Sequence, residues 1–403
     1  MSSGAIAKLR DRSDRVSQDR APISVARPST PKIEIVTTVA GLLKLESAWR
    51  KLELHNTTVF QSFDWVKAWC DAYLGSAETG EILIVTGQQG GTTFFILPLI
   101  KSKKHGLNIL DWLTDPIGQY GDALCASSQN SEFWLEAAFD KLSEIKGIDL
   151  VRLRHVRDTG AIANFAKHHL HDAKYYERAP YLDLSAFDSE ASYDARYSST
   201  QRKRRKKIRK SLEDLGDVSF STLNSGAEAD RAIDQSIAEK NAWLSDRGRF
   251  NRIMGCPNHV KFLKNLSRIT TPDFKMMTTE LKAGDKPISW EIGFRYQGTH
   301  FAYITSHVNA LTDLSPGRLH MDLSQRQAIA DKQSTFDLMV PHDLHKESWS
   351  SGTVATNDYF KPLTFFGALY GHGYLATVRP LLRKLYYKLP QNILRMIQPF
   401  TRA

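Results

Sequence analysis

The apolar positions of this 403-residue chain change their period several times, and the changes mark out its elements. After a strand-like start at Ile33, Leu42, Leu45, Trp49 and Leu52 recur at three- and four-residue spacings, which predicts a helix. Val59-Phe60-Gln61-Ser62 then leads into a second helix, whose Trp65, Trp69 and Tyr73 lie four apart on one aromatic stripe. Core packing is the first reading of such a stripe. Two β-rich runs, 81–86 and 92–100, flank Gly87-Gln88-Gln89-Gly90-Gly91 and read as a hairpin. A helix over 132–146 and a strand over 149–153 complete the first half.

The second half repeats this order. Helices over 227–244 and 258–269 precede strands over 275–281, 287–296 and 299–307. In the middle strand Ile288, Trp290, Ile292, Phe294 and Tyr296 alternate with Ser289, Glu291, Gly293 and Arg295, a period of two with one apolar face. Gln297-Gly298 suits a tight turn into the next strand, Ser315-Pro316-Gly317 opens a helix to about Lys332, and 335–340 forms a further strand. A recurring series of elements is evidence about architecture even where residue identities differ. The expectation is an α/β (α+β) chain of two similar lobes, 32–184 and 185–350, each a mixed, mostly antiparallel sheet flanked by helices. A disordered leader, 1–31, rich in Ser, Arg, Asp and Pro, would precede them, and a basic amphipathic extension, 351–403, would follow.

Charge changes this picture only locally. The chain has 54 Lys and Arg against 44 Asp and Glu, for a net charge of +10. Eight of the cations lie between Arg202 and Lys210, and seven follow Asp358, after which there is no acid. Together they exceed the whole surplus, so the rest of the chain is net acidic and the basicity belongs to two surfaces. The first could hold nucleic-acid phosphates, anionic lipid or a cofactor's phosphates, or be a solvated helix; DNA is not the expected partner. In the tail Val378, Leu381, Leu382, Leu385 and Leu389 share one helical face, and Ile393, Leu394, Ile397 and Phe400 continue the apolar content. Residues 378–400 could therefore lie on an anionic membrane surface or pack on the body. Cys70, Cys125 and Cys256 are far apart and fit neither a disulfide framework nor a zinc site. With no early apolar run and no stretch long enough to span a bilayer, a cytoplasmic protein is expected, peripheral at the inner face of the membrane if the tail binds there.

Several short motifs stand in a recognisable order. They are Val59-Phe60-Gln61-Ser62 with Trp65 and Trp69, Ile96-Leu97-Pro98-Leu99, Gln119-Tyr120-Gly121-Asp122, Ser315-Pro316-Gly317-Arg318-Leu319, and Thr335-Phe336-Asp337-Leu338 followed by His345-Lys346. In that order and spacing the chain resembles the CelD-like, or cellulose-biosynthesis-type, branch of the GNAT acyltransferases over roughly 33–350, and its two-lobed plan is similar to that of the Fem aminoacyltransferases. It departs from the branch at His345, where a Tyr is common, and at Val340-Pro341-His342-Asp343, where a Gly-rich segment is common.

The resemblance implies tandem GNAT-like lobes, acetyl-CoA or another acyl-CoA as donor, and direct acyl transfer to an amine or hydroxyl. The acceptor would belong to a polysaccharide precursor or other envelope component. It also leaves a Fem-like use of charged tRNA open, as well as a binding protein without chemistry. Ser315, Pro316, Gly317 and Arg318 are the candidate cofactor loop, because a helix start with a Gly offers free N–H groups and a favourable dipole to pyrophosphate. The same four residues also make an ordinary helix entry, Ser as cap and Pro in the first turn. Direct transfer needs a base for the acceptor's proton, and Glu291 and His307 are the candidates. Each has a plain alternative as a strand-surface or strand-end residue. Asp337 and Lys346 could position substrate or cofactor groups, Asp337 equally by pairing with a nearby cation. His342 and His345 lack a third clear partner, so no metal is expected. The first lobe has only Ser127-Ser128-Gln129-Asn130 before its corresponding helix, and is expected to shape the acceptor cleft rather than bind a cofactor.

Overall fold

The structure is a computed structural model that describes residues 31–55, 57–75, 80–127 and 130–388. The expected leader, apart from Pro31, and the tail beyond Lys388 lie outside the described residues. One mixed sheet organises the rest. Its first-lobe strands are β1 (Lys32–Val36), β2 (Glu81–Gln89), β3 (Thr92–Lys104), β4 (Leu107–Trp112), β5 (Leu124–Cys125), β6 (Leu150–Arg157) and β7 (His171–Asp183). The second lobe adds β8 (Val218–Thr222), β9 (Phe274–Ala283), β10 (Lys286–Tyr296), β11 (Thr299–His307), β12 (Thr335–Asp337) and β13 (Gly352–Pro362).

The repeat expected from the sequence is present. Each lobe runs strand, helices, three antiparallel strands, helix, parallel strand, short helix and a last strand. The Gly90-Gly91 and Gln297-Gly298 turns both have positive φ at their two residues, the twist that tight hairpins require.

The spatial order is β1-β2-β3-β4-β6-β13-β7-β12-β11-β10-β9-β8. The last strand of each lobe has therefore crossed into the other. β13 lies between β6 and β7, and β7 in turn pairs with β12. Residues 352–362, read above as the start of an extension, are thus a central strand, with Phe360 fully buried. The long-range pairing that puts them there leaves no signal in local periodicity.

Both faces of the sheet are covered. Glu291 was expected on a polar face of β10, yet it is 1% exposed, because helix Pro316–Ala330 packs over that face. The aromatic stripe reads as core: Trp65 meets Phe262, Phe294 and Tyr303 edge-on across the seam between the lobes. Phe60 joins Tyr120 and Phe301 there.

Candidate functional site

Each lobe contains a place where two parallel strands begin together and then part. In the first lobe β4 and β6 pair at Ile109↔Leu150 and Leu110↔Val151. Beyond that point the protein fills the wedge itself. Trp112, the last residue of β4, donates its indole N–H to Arg154 O at 2.9 Å, and Gly121 bridges to Val156. A Cβ on Gly121 would come within 1.8 Å of the Trp112 ring, so the glycine is what lets the plug close.

In the second lobe β11 and β12 pair at Thr299↔Thr335, His300↔Phe336 and Phe301↔Asp337. β11 continues to His307, whereas the other chain leaves it: Leu338 N–H donates to Pro180 O of β7. Among the described residues no isolated bridge restores pairing across this wedge.

The helix Pro316–Ala330 starts at its mouth. Ser315 stands at the N-cap with Pro316 in the first turn, as the helix-entry reading has it, but it is in a left-handed conformation, φ 58° and ψ 46°, and its side chain makes no capping bond. Backbone strain of this kind at a helix start is a signal of a functional constraint. A Cβ on Gly317 would meet only His307 Nδ1, at 3.5 Å, an ordinary contact. Packing inside the protein therefore does not require this glycine. What it leaves is room beside His307.

His307 is half-buried at the end of β11. The Thr312 hydroxyl donates to Asn309 O at 2.7 Å and so accepts from His307 Nε2–H at 3.2 Å, an assignment made from the network. That tautomer leaves Nδ1 with a lone pair on the Gly317 side. Burial, then the charges of Lys240, Arg247 and His345, lower its pKa and keep the ring neutral. It can accept a proton at neutral pH.

Lys346 forms the opposite wall. Its ammonium donates to Met339 O at 2.8 Å and Pro341 O at 2.9 Å, holding the parted chain by two carbonyls. Burial pulls its pKa down to about 8, against the pull of Asp343 and Asp337. Arg318 lies where burial, then Arg204 and Arg205, lower its pKa. Among the described residues it has no acidic partner. A cavity of about 780 Å³ runs from Arg318 between helix Ser199–Glu213 and helix Pro316–Ala330, floored by Phe220, Leu319, Leu323 and Trp349. Arg205 pairs with Asp322 there and stacks on Tyr197 and Trp349.

Two of the expected site residues are engaged in bonds within the protein. Glu291 accepts from His300 Nε2 at 2.7 Å inside a sealed polar cluster with His320 and Ser324. Burial raises its pKa most, but the His300 bond, the fields of His300 and His320 and the Ser324 bond together outweigh this and the net shift is down. It does not face the wedge. Asp337 accepts from Tyr120 OH at 2.8 Å, Arg157 at 2.7 Å and Met339 N–H at 2.7 Å. At 2% exposure it ties the lobes together, the pairing with a cation that the sequence reading had kept as its alternative. Sequence reasoning missed Lys240, which donates to Thr305 O at 3.0 Å, and Thr312, which orients His307. Neither stands in a motif.

Residues 199–347 match the family described as acetyltransferase (GNAT) domain. A comparison with curated proteins finds no match. Among solved structures, FemX is similar at 10% identity with a TM-score of 0.56, covering 84% of this chain and 98% of that one. The C-terminal domain of a putative lysylphosphatidylglycerol synthetase from Agrobacterium fabrum has 10% identity and a TM-score of 0.47, covering 84% of this chain and 96% of that one. A tandem GNAT protein from the clavulanic acid pathway has 9% identity and a TM-score of 0.47, covering 83% and 99%.

The chain folds as two lobes of one repeated plan, and the match to the GNAT domain falls on the second. The matched span contains the open wedge, and the plugged wedge lies outside it. Among the described residues no group of three or more His, Cys, Asp or Glu side chains is placed to hold a metal ion, and no helix is long and apolar enough to cross a membrane.

Proposed function

We propose that the second GNAT lobe is an acyltransferase site that takes acyl-CoA and transfers its acyl group directly to an amine or hydroxyl. One observation carries this reading: a wedge between parted strands has a bare histidine nitrogen on one side, a glycine helix start beside it, and a basic cavity leading away in which Arg204 and Arg318, among the described residues, have no acidic partner. That set fits a thioester joined to a phosphate-rich tail. Gly317 N–H, in the first helical turn where no intrahelical acceptor exists, and Arg318 would hold pyrophosphate. Arg204 and the cavity floor would take the nucleotide end.

Bound acyl-CoA supplies the activated acyl group; the protein supplies position and proton transfer. His307 Nδ1 takes the proton from the acceptor, and Lys346 keeps the wedge apart so that the two reactants meet in one geometry. The acceptor is read as a polysaccharide precursor or other envelope component, on the resemblance to the CelD-like branch.

The first lobe supports the assignment by contrast, since its own wedge is closed by Trp112. Titration calorimetry with acetyl-CoA and longer acyl-CoAs tests the proposal. Saturable heat that is lost in Arg204→Glu/Arg318→Glu supports it; no heat with any acyl-CoA overturns it.

A second reading, aminoacyl transfer from charged tRNA, is favoured by the exposure of most cations on helix Ser199–Glu213. Saturable tRNA binding without acyl-CoA binding would establish that reading instead.

A further inference from the structure

The chain from Phe365 to Lys388 is one continuous helix in three sections, α-helical over Phe365–Ala368, π-helical over Leu369–Val378 and α-helical over Arg379–Lys388. Its arrangement reverses that of an ordinary surface helix, whose large apolar side chains face the core. The docked face makes its closest approach through two glycines. A Cβ on Gly367 would come within 1.8 Å of Asp149 O, and one on Gly371 within 2.3 Å of the Phe360 ring. Leu375 is fully buried beside them, in a cluster with Ile109, Leu150 and Phe360. Arg383 and Arg379 turn to the body as well, pairing with Glu177 and Asp358 and stacking on Tyr175.

The large apolar side chains point outward. Phe365, Phe366 and Leu369 follow the i, i+1, i+4 pattern of one helical face and are 78, 64 and 63% exposed. Val378, Leu381, Leu382 and Leu385 follow i, i+3, i+4, i+7 and are 42 to 60% exposed. The nine steps from Leu369 to Val378 make about two turns of π-helix, at roughly 4.4 residues per turn, so the two groups fall on the same side. Nearly half of the exposed large apolar residues among those described lie on this one helix, a concentration that marks an interaction surface.

Charge decides what covers it. Lys384 and Lys388, exposed and one turn apart, border the stripe, and the sequence contains no acid after Asp358. An apolar stripe edged only by cations is the pattern of a helix lying in the interface of an anionic bilayer. A self-complementary protein contact would place acids opposite these lysines, and the stripe has none to offer.

We propose that the outward face of Phe365–Lys388 docks on an anionic lipid surface, with Phe365, Phe366, Leu369, Leu381 and Leu385 entering the acyl boundary and Lys384 and Lys388 meeting the phosphates. Because the docked face is held by buried contacts of β13 and the first lobe, the helix would hold the whole sheet in a fixed orientation to the membrane.

Flotation of the full chain with vesicles tests this. The unmodified protein floats with mixed phosphatidylglycerol–phosphatidylcholine vesicles and much less with phosphatidylcholine alone. Phe365→Ser/Phe366→Ser/Leu369→Ser alters only exposed side chains and lowers partition by about tenfold or more, as expected when several large apolar groups leave the interface. Lys384→Glu/Lys388→Glu removes the preference for the anionic lipid. Circular dichroism confirms that both variants are folded. Failure of the unmodified chain to float overturns the proposal. So does flotation unchanged by the serine substitutions, or a concentration-dependent dimer, abolished by those substitutions, in a chain that ignores vesicles.

Discussion

The two lobes repeat one series of elements, and they differ at the point where their parallel strands part. β4 ends in Trp112, whose ring fills the first wedge, whereas β11 ends in His307 beside a helix start that carries Gly317. The comparison shows that the fold does not itself make a site. A wedge between strands becomes either core or binding surface according to the few side chains at its mouth.

His307→Asn would remove the largest effect. It is expected to lower kcat by about 10²–10⁴-fold, the usual contribution of a positioned base, with little change in acyl-CoA affinity. The unmodified enzyme should have a rate that is flat above about pH 6.5 and falls on acidification. The sign follows from the shift, because a histidine pKa lowered by burial keeps the basic form present down to below its ordinary value near 6.5. The acidic limb should be absent in the variant.

Trp112→Ala should cost about 3–5 kcal/mol in urea unfolding, as for emptying a packed indole site, while acyl-CoA binding at the other lobe stays unchanged. Loss of binding without loss of stability would reverse the assignment of plug and site.

Lys346→Met should weaken acyl-CoA binding by about 1.5–3 kcal/mol, the range for charge-assisted hydrogen bonds, measured by calorimetry. Its two carbonyl acceptors would be released, and the wedge would lose one wall. Gly317→Ala is the smallest change and the most discriminating. It should raise unfolding stability by about 0.4–1 kcal/mol, because alanine fits the helix start and narrows the unfolded ensemble, and at the same time weaken acyl-CoA binding. A glycine kept only for packing would show the reverse.

The motifs that carried the resemblance divide in the same way. Gln119-Tyr120-Gly121-Asp122 and Val59-Phe60-Gln61-Ser62 are knots within the first lobe: Gln61 donates to Tyr120 O at 2.8 Å, and Asp122 accepts from Ala123, Ala161 and Ile162 N–H. Asp337 belongs with them through Tyr120 and Arg157. Ser315-Pro316-Gly317-Arg318 and Lys346 lie at the open wedge. From the sequence all of these looked alike as recurrent short patterns, since a buried carboxylate tied to two lobes and a catalytic one require the same residue type. Glu291 illustrates the limit most directly. Its alternation with Trp290 and Ile292 was legible, but the helix that seals it lies 25 residues further on.

The elements and their repetition were written in local periodicity, because a helix or strand declares the face it buries every three to four, or every two, residues. Strand-end turns and the glycine helix start were likewise legible, for the backbone conformations they need are available to few residue types. The exchange of β7 and β13 between the lobes, the plugging of one wedge by Trp112, and the outward turn of Phe365 and Leu369 were not. Each depends on which surfaces come to lie against one another, and pairing energies between residues far apart in the chain, 42 positions at Trp112 and more at β7 and β13, leave no pattern in either neighbourhood.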